Sequence, residues 1–164
     1  AGRPTYTVWR YGVNYVRAFS NDVQIRANMS GQWTRDALVT GEQFGLGGWE
    51  NLRGMREREA SMDRGMRASL EIYSPEIGAA ANIPNGKLRV LAFYDAGYLS
   101  QNFRNATTCD LGACHFSASS IGVGMRLALE QRINVRLDVA QVVDPGLAGT
   151  RNDTRAHVGG SVGF

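Results

Sequence analysis

The 164-residue chain has no stretch approaching the ~18 uninterrupted apolar residues that a membrane-crossing helix requires. A helical membrane protein is excluded on that ground. A membrane barrel is not, because its strands are apolar on one face only and average out as polar; the mean hydropathy of −0.26 fits that. Lysine is almost missing: Lys87 is the only one, so the basic charge is nearly all arginine and the net charge is +3. The arginines are spread one or two to a segment, with no basic run and no aromatic set for base stacking. That pattern speaks against nucleic-acid binding. Histidine is scarce, with only His115 and His157, too few to build a zinc site readily. No phosphate-binding GK[ST] motif occurs. No metal, no cofactor and no enzymatic activity are therefore expected. Ala1 opens directly in a polar stretch without a charged-then-apolar leader, so the chain reads as either a mature protein or a fragment.

Cysteine is also sparse. Cys109 and Cys114 lie close together in the polar stretch NATTCDLGACHF. In an oxidising compartment they would form a small-loop disulfide. Free thiols are one alternative, and a metal or haem site using His115 is another. Haem attachment usually spaces its cysteines by about two residues, whereas four separate them here.

What the chain does have is glycine, at 20 residues, and a period of two. Val23, Ile25, Ala27, Met29, Gly31 and Trp33 alternate with Gln24, Arg26, Asn28, Ser30 and Gln32. That length suits a tilted strand crossing a bilayer. Tyr6, Val8, Tyr11, Val13 and Tyr15 mark an earlier strand, with a slip of phase near Arg10. Later strands run through Met66–Tyr73, Leu88–Asp95, Ile121–Glu130, Val135–Val139 and Arg155–Phe164, which makes seven. Alternation alone does not separate a β-sandwich from a barrel. The connections do. Those near 20–22 and 131–132 are short, those about 36–64 and 100–119 are long, and those about 75–86 and 144–153 are intermediate. Short and long connections roughly alternate, as in outer-membrane barrels with short periplasmic turns and long extracellular loops. Seven is an odd number, and antiparallel closure of a single-chain bacterial barrel uses an even one. The expected fold class is thus all-β: an antiparallel transmembrane barrel segment of about seven strands from a larger barrel. A missed eighth strand is the alternative.

The long connection reads GEQFGLGGWENLRGMREREASMDRG. As chemistry it is a charged, glycine-rich loop of the kind usually solvated. Its motifs say more. Phe44-Gly45-Leu46-Gly47-Gly48, Leu52-Arg53-Gly54-Met55, Arg64-Gly65, Ser69-Leu70-Glu71-Ile72-Tyr73-Ser74-Pro75 and Phe93-Tyr94-Asp95-Ala96-Gly97 together resemble the C-terminal barrel of the Omp85 superfamily. The branch resembled is the two-partner secretion transporters of the haemolysin and filamentous-haemagglutinin activator type. Leu52 and Met55 depart from the family's Val and aromatic but keep apolar bulk. Phe164 is similar to the terminal aromatic signal of many outer-membrane proteins.

The resemblance implies a bacterial outer-membrane location in contact with lipid and lipopolysaccharide. It implies a sixteen-stranded barrel preceded by POTRA domains, with 1–164 as its C-terminal portion and the loop about 36–64 folded into the lumen. Arg53 would meet Asp95, and Glu71 as a second partner, on the inner wall, and Gly54 would let the backbone turn tightly at the tip. The implied function is translocation of a secreted partner exoprotein, driven by folding of the exported chain outside. Barrel-assembly insertase of the same superfamily is the first alternative. A small eight-stranded barrel serving as adhesin or anchor is the second, and a soluble β-sandwich binding module the third.

Overall fold

In the computed structural model of the chain, residues 5–83, 85–102, 114–130, 132–146 and 153–163 are described. Seven strands form one antiparallel sheet: β1 (Val8–Ala18), β2 (Gln24–Thr34), β5 (Arg64–Tyr73), β6 (Gly86–Ser100), β7 (His115–Leu129), β8 (Ile133–Asp144) and β9 (Thr154–Val162). Each pairs with its sequence neighbour in a plain meander, β1-β2-β5-β6-β7-β8-β9. Among the described residues β1 and β9 share no ladder, so the sheet is open. Two further strands, β3 (Phe44–Leu46) and β4 (Ala60–Met62), form a small hairpin of their own between β2 and β5.

The two faces of the sheet differ as the alternation predicts. On one face, β6 presents Leu88, Val90, Ala92, Tyr94, Ala96 and Tyr98, and β8 presents Ile133, Val135, Leu137, Val139, Gln141 and Val143; neither set contains a charge. Val90, Tyr94, Ile121, Val123, Val139 and Val158 on this outer face are 44–74% exposed. A sheet in water does not leave such a surface bare; a strand crossing a bilayer does. Strand lengths of 9 to 15 residues are long enough to cross when tilted. The other face, called inner here, bears Arg26, Ser69, Glu71, Asp95, Arg126, Arg136, Asp138 and His157.

Two expectations need correction. Val8 and Arg10 mark no phase slip, because β1 pairs with β2 without a shift from Val8↔Thr34 to Ala18↔Gln24. Both residues belong to the inner face, while Trp9, Tyr11, Val13 and Tyr15 keep strict alternation on the outer one. The connection drawn at 100–119 is shorter than expected, since β7 begins at His115. Its serines hid the strand: Phe116, Ala118 and Ser120 face inward and are buried, and a register irregularity lies between Ser119 and Ser120. The connection about 36–64 packs against the inner face. Leu46 and Leu52 are fully buried and Met55 nearly so. They pack with Leu99, Phe116, Ala118 and Val142 of the inner face, with Phe44, Ala60 and Met62 alongside. Apolar residues spaced irregularly in sequence meet because the β3–β4 hairpin folds the loop back on itself.

At the short-turn end, Arg89 binds the β1–β2 turn to the segment after β5. Its Nη2 donates to both carboxylate oxygens of Asp22 at 2.8 Å, and its Nη1 donates to the carbonyls of Asp22 at 2.9 Å and Ser74 at 2.8 Å. The Asp22 carboxylate also accepts the Glu76 backbone N–H at 2.9 Å. The Arg89 hydrogen bonds first, and the Glu76 amide second, hold the Asp22 carboxyl below the usual aspartate range. A depressed carboxyl contributes stability that is present above its unfolded pKa and disappears as pH falls through the folded one. The protection factor of the Glu76 amide, followed by hydrogen exchange, is therefore expected to fall only below the ordinary aspartate range. Asp22→Asn should remove that acid step.

Candidate functional site

The loop reaches the inner face through a tight turn. Gly47 and Gly48 have φ of +107° and +109°, a region that side-chain-bearing residues avoid. The Asn51 side-chain oxygen accepts the Gly47 N–H at 2.8 Å, and the Gly48 carbonyl accepts the N–H groups of Asn51 at 3.2 Å and Leu52 at 3.0 Å. This turn sets Leu52 and Met55 into the apolar cluster and aims Arg53 between them at the wall. Gly54 sits in the tight turn closed by the Met55 N–H on the Leu52 carbonyl at 3.0 Å, without occupying the left-handed region. It is required by space: a Cβ there would lie 2.9 Å from both the Ser120 Cβ and a Val142 methyl. The root of the loop is clipped by Asp63, fully buried, whose carboxylate accepts the backbone N–H groups of Leu38 at 2.9 Å and Asn102 at 3.0 Å.

Arg53 is the centre of the site. Its Nε and Nη2 donate to the two carboxylate oxygens of Asp95 at 2.8 and 2.7 Å, the fork-to-fork geometry that a guanidinium favours. Its Nη1 donates to Glu71 at 2.7 Å and its Nη2 to the Ser69 hydroxyl at 3.1 Å. Ser69 in turn donates to Asp95 at 2.6 Å, and the Tyr73 hydroxyl donates to Glu71 at 2.8 Å. The guanidinium carbon sits 3.4 Å from the centre of the Phe93 ring, a cation–π contact that strengthens when water is excluded. The side chains of Arg53 and Asp95 are 4% and 1% exposed, and that of Glu71 is 19%.

The strand register explains the convergence. Ser69 faces Asp95 and Glu71 faces Phe93 across the β5–β6 ladder, so the two carboxylates lie on one face of adjacent strands. Of the residues singled out from the sequence, Arg53 thus meets Asp95 and Glu71, while Leu52 and Met55 enter the apolar cluster and Gly54 lies against Ser120 and Val142. Cys109 and Phe164 lie outside the described residues, and with them the disulfide pairing and the terminal aromatic.

Sequence reasoning missed a second half of the site. Asp138, fully buried, accepts Arg126 Nη1 at 2.8 Å and Arg136 Nε at 2.5 Å, and lies 4.0 Å from Arg53 Nη1. Arg53, Arg126 and Arg136 are thereby matched by Glu71, Asp95 and Asp138, so the buried group is electrically balanced. Phe93, Ser69 and His157 were missed as well. Period two did place Asp138 on the polar face of its strand, but only the register from β6 to β8 brings it beside Arg53.

The family model of the haemolysin secretion/activation protein ShlB/FhaC/HecB matches residues 2–127. Among solved structures, CdiB from Acinetobacter baumannii is similar with a TM-score of 0.62 and 22% identity, over 97% of this chain and 27% of that chain. At that identity the likeness shows the fold, and the chain spans about a quarter of the length of that structure. No curated protein sequence matches the chain.

Breaking a buried pair by removing one partner strands the other charge and costs about 3–5 kcal/mol. Asp95→Ala is expected to lower stability by an amount in that range. Arg53→Lys keeps the charge but loses the fork, and should cost about 2 kcal/mol, the worth of a charged hydrogen bond. Denaturant unfolding of the detergent-solubilised protein checks both values.

Proposed function

The chain belongs to the haemolysin secretion/activation family ShlB/FhaC/HecB, and on that premise we propose that it is the loop-bearing part of an outer-membrane pore for a secreted partner protein. The observation that supports this best is the Arg53 fork on Asp95, which seats a folded loop on the polar face of a sheet whose other face is apolar. A barrel built this way turns its apolar face to lipid and its polar face to a wet lumen. On this reading 1–164 is the C-terminal portion of the barrel, with POTRA domains and the remaining strands before it. The loop 36–64 lies in the lumen, across the path of the exported chain. The location is the bacterial outer membrane, with lipopolysaccharide against the outer face.

The residues required for transport are Arg53, Asp95 and Glu71, with Leu52, Gly54 and Met55 holding the tip against the wall. None of them has a bond to make or break. The loop's task is positional: it keeps the passage in one arrangement until an exported segment competes for the inner face. Folding of the exported chain outside supplies the energy.

Arg53→Ala in the full-length transporter is expected to reduce secretion of the partner several-fold while the barrel still inserts. Asp95→Arg should reproduce the defect. Secretion in culture supernatants and heat-modifiable migration of the barrel separate transport from insertion. Wild-type secretion by Arg53→Ala would remove the assigned role.

A further inference from the structure

The loop is gripped from a second side. His157 Nε2 lies 2.6 Å from the backbone carbonyl oxygen of Arg53. A carbonyl only accepts, so Nε2 must carry the proton and donate it. Two residues further along β9 on the same face, Gly159 leaves the space that the Trp49 indole fills: a Cβ there would lie 2.7 Å from the indole Cζ3. Arg136, the ladder partner of Gly159 on β8, donates from Nη2 to the Trp49 carbonyl at 3.2 Å. Its guanidinium also lies 4.9 Å from the centre of the indole ring. Asp138, the ladder partner of His157, holds Arg136 in place at 2.5 Å. The last two strands therefore bind the backbone of segment 49–53, while β5 and β6 bind the Arg53 side chain.

We infer that His157, with Gly159, is a positioning pair that couples the loop tip to β9, so that release of the loop loosens β9 and displacement of β9 loosens the loop. The coupling is reciprocal by thermodynamic linkage. It is independent of which atoms the Arg53 side chain touches, since His157 reads only the main-chain carbonyl. The inference rests on the transport reading only for its meaning in secretion; the coupling itself is measured without any exported protein.

The test is hydrogen exchange on the full-length transporter in detergent, reading the β9 amides and segment 49–53. His157→Ala should speed exchange in both places about five- to tenfold, the effect of one lost part-buried hydrogen bond. His157→Gln, whose side-chain N–H group can donate from a similar reach, should restore the wild-type rates. Equal exchange in His157→Ala and wild type overturns the coupling, and so does a Gln variant as labile as the Ala one. Should His157→Ala fail to insert, Gly159→Ala serves instead. It pushes a methyl into the Trp49 ring and should speed exchange over 49–53; unchanged rates there overturn the inference. A loss of coupling with normal dependence on Arg53 in secretion would strike this inference alone, and the reverse result would strike only the transport role.

Discussion

Everything in this structure depends on keeping a guanidinium charged where water hardly reaches it. An isolated buried charge is costly, and a buried pair is neutral at best unless its remaining hydrogen-bonding positions are filled. Arg53 meets that condition by using all three guanidinium nitrogens on Asp95, Glu71 and Ser69 and by lying on the face of Phe93. The requirement then spreads outward. Asp95 needs Ser69 as a further donor, Glu71 needs Tyr73, and Asp138 needs Arg126 and Arg136. A charge placed on a loop tip thus dictates the identity of inward residues on four separate strands. Such a network adds little net stability over an apolar core, but it permits only one seating of the loop.

The apolar cluster beneath the tip works differently. Leu46, Leu52 and Met55 lose their exposure against Leu99, Phe116 and Val142, which pulls the loop down without specifying its register. Gly54 supplies the fit, since the backbone passes too close to Ser120 and Val142 for any side chain. Non-directional burial gives the attraction, and the ion pairs and steric fit select the position.

Much of this was legible in the sequence, and the reason is physical. A membrane strand must alternate, so its faces can be assigned residue by residue, and Asp95 and Glu71 fell on the polar side without any structure. Parity of connection lengths gave the barrel, and the long loop's motifs gave the family. Contacts that depend on register over several ladders were not legible. Asp138 stands beside Arg53 because β6, β7 and β8 align Leu91, Gly124 and Asp138 across two ladders, two residues from Phe93 under the guanidinium, an offset that period two leaves undetermined. The β3–β4 hairpin was hidden by its own composition: three-residue strands rich in glycine and small residues give too short an alternation to register. Val8 and Arg10 misled for the opposite reason, an apolar residue on the polar face mimicking a slip.

The hairpin within the loop has a mechanical consequence. A loop held by one ion pair could peel away residue by residue, each step small. This one is a folded body with its own ladder, its own turn at Gly47-Gly48 and three large apolar side chains in a shared core. Uncovering those three side chains together would cost roughly 5–9 kcal/mol, taking about 1.5–3 kcal/mol for each. Its departure from the wall is therefore an all-or-none event with a high threshold, closer to a latch than to a tether. Loop and wall would then part in one step, with few intermediate positions between them.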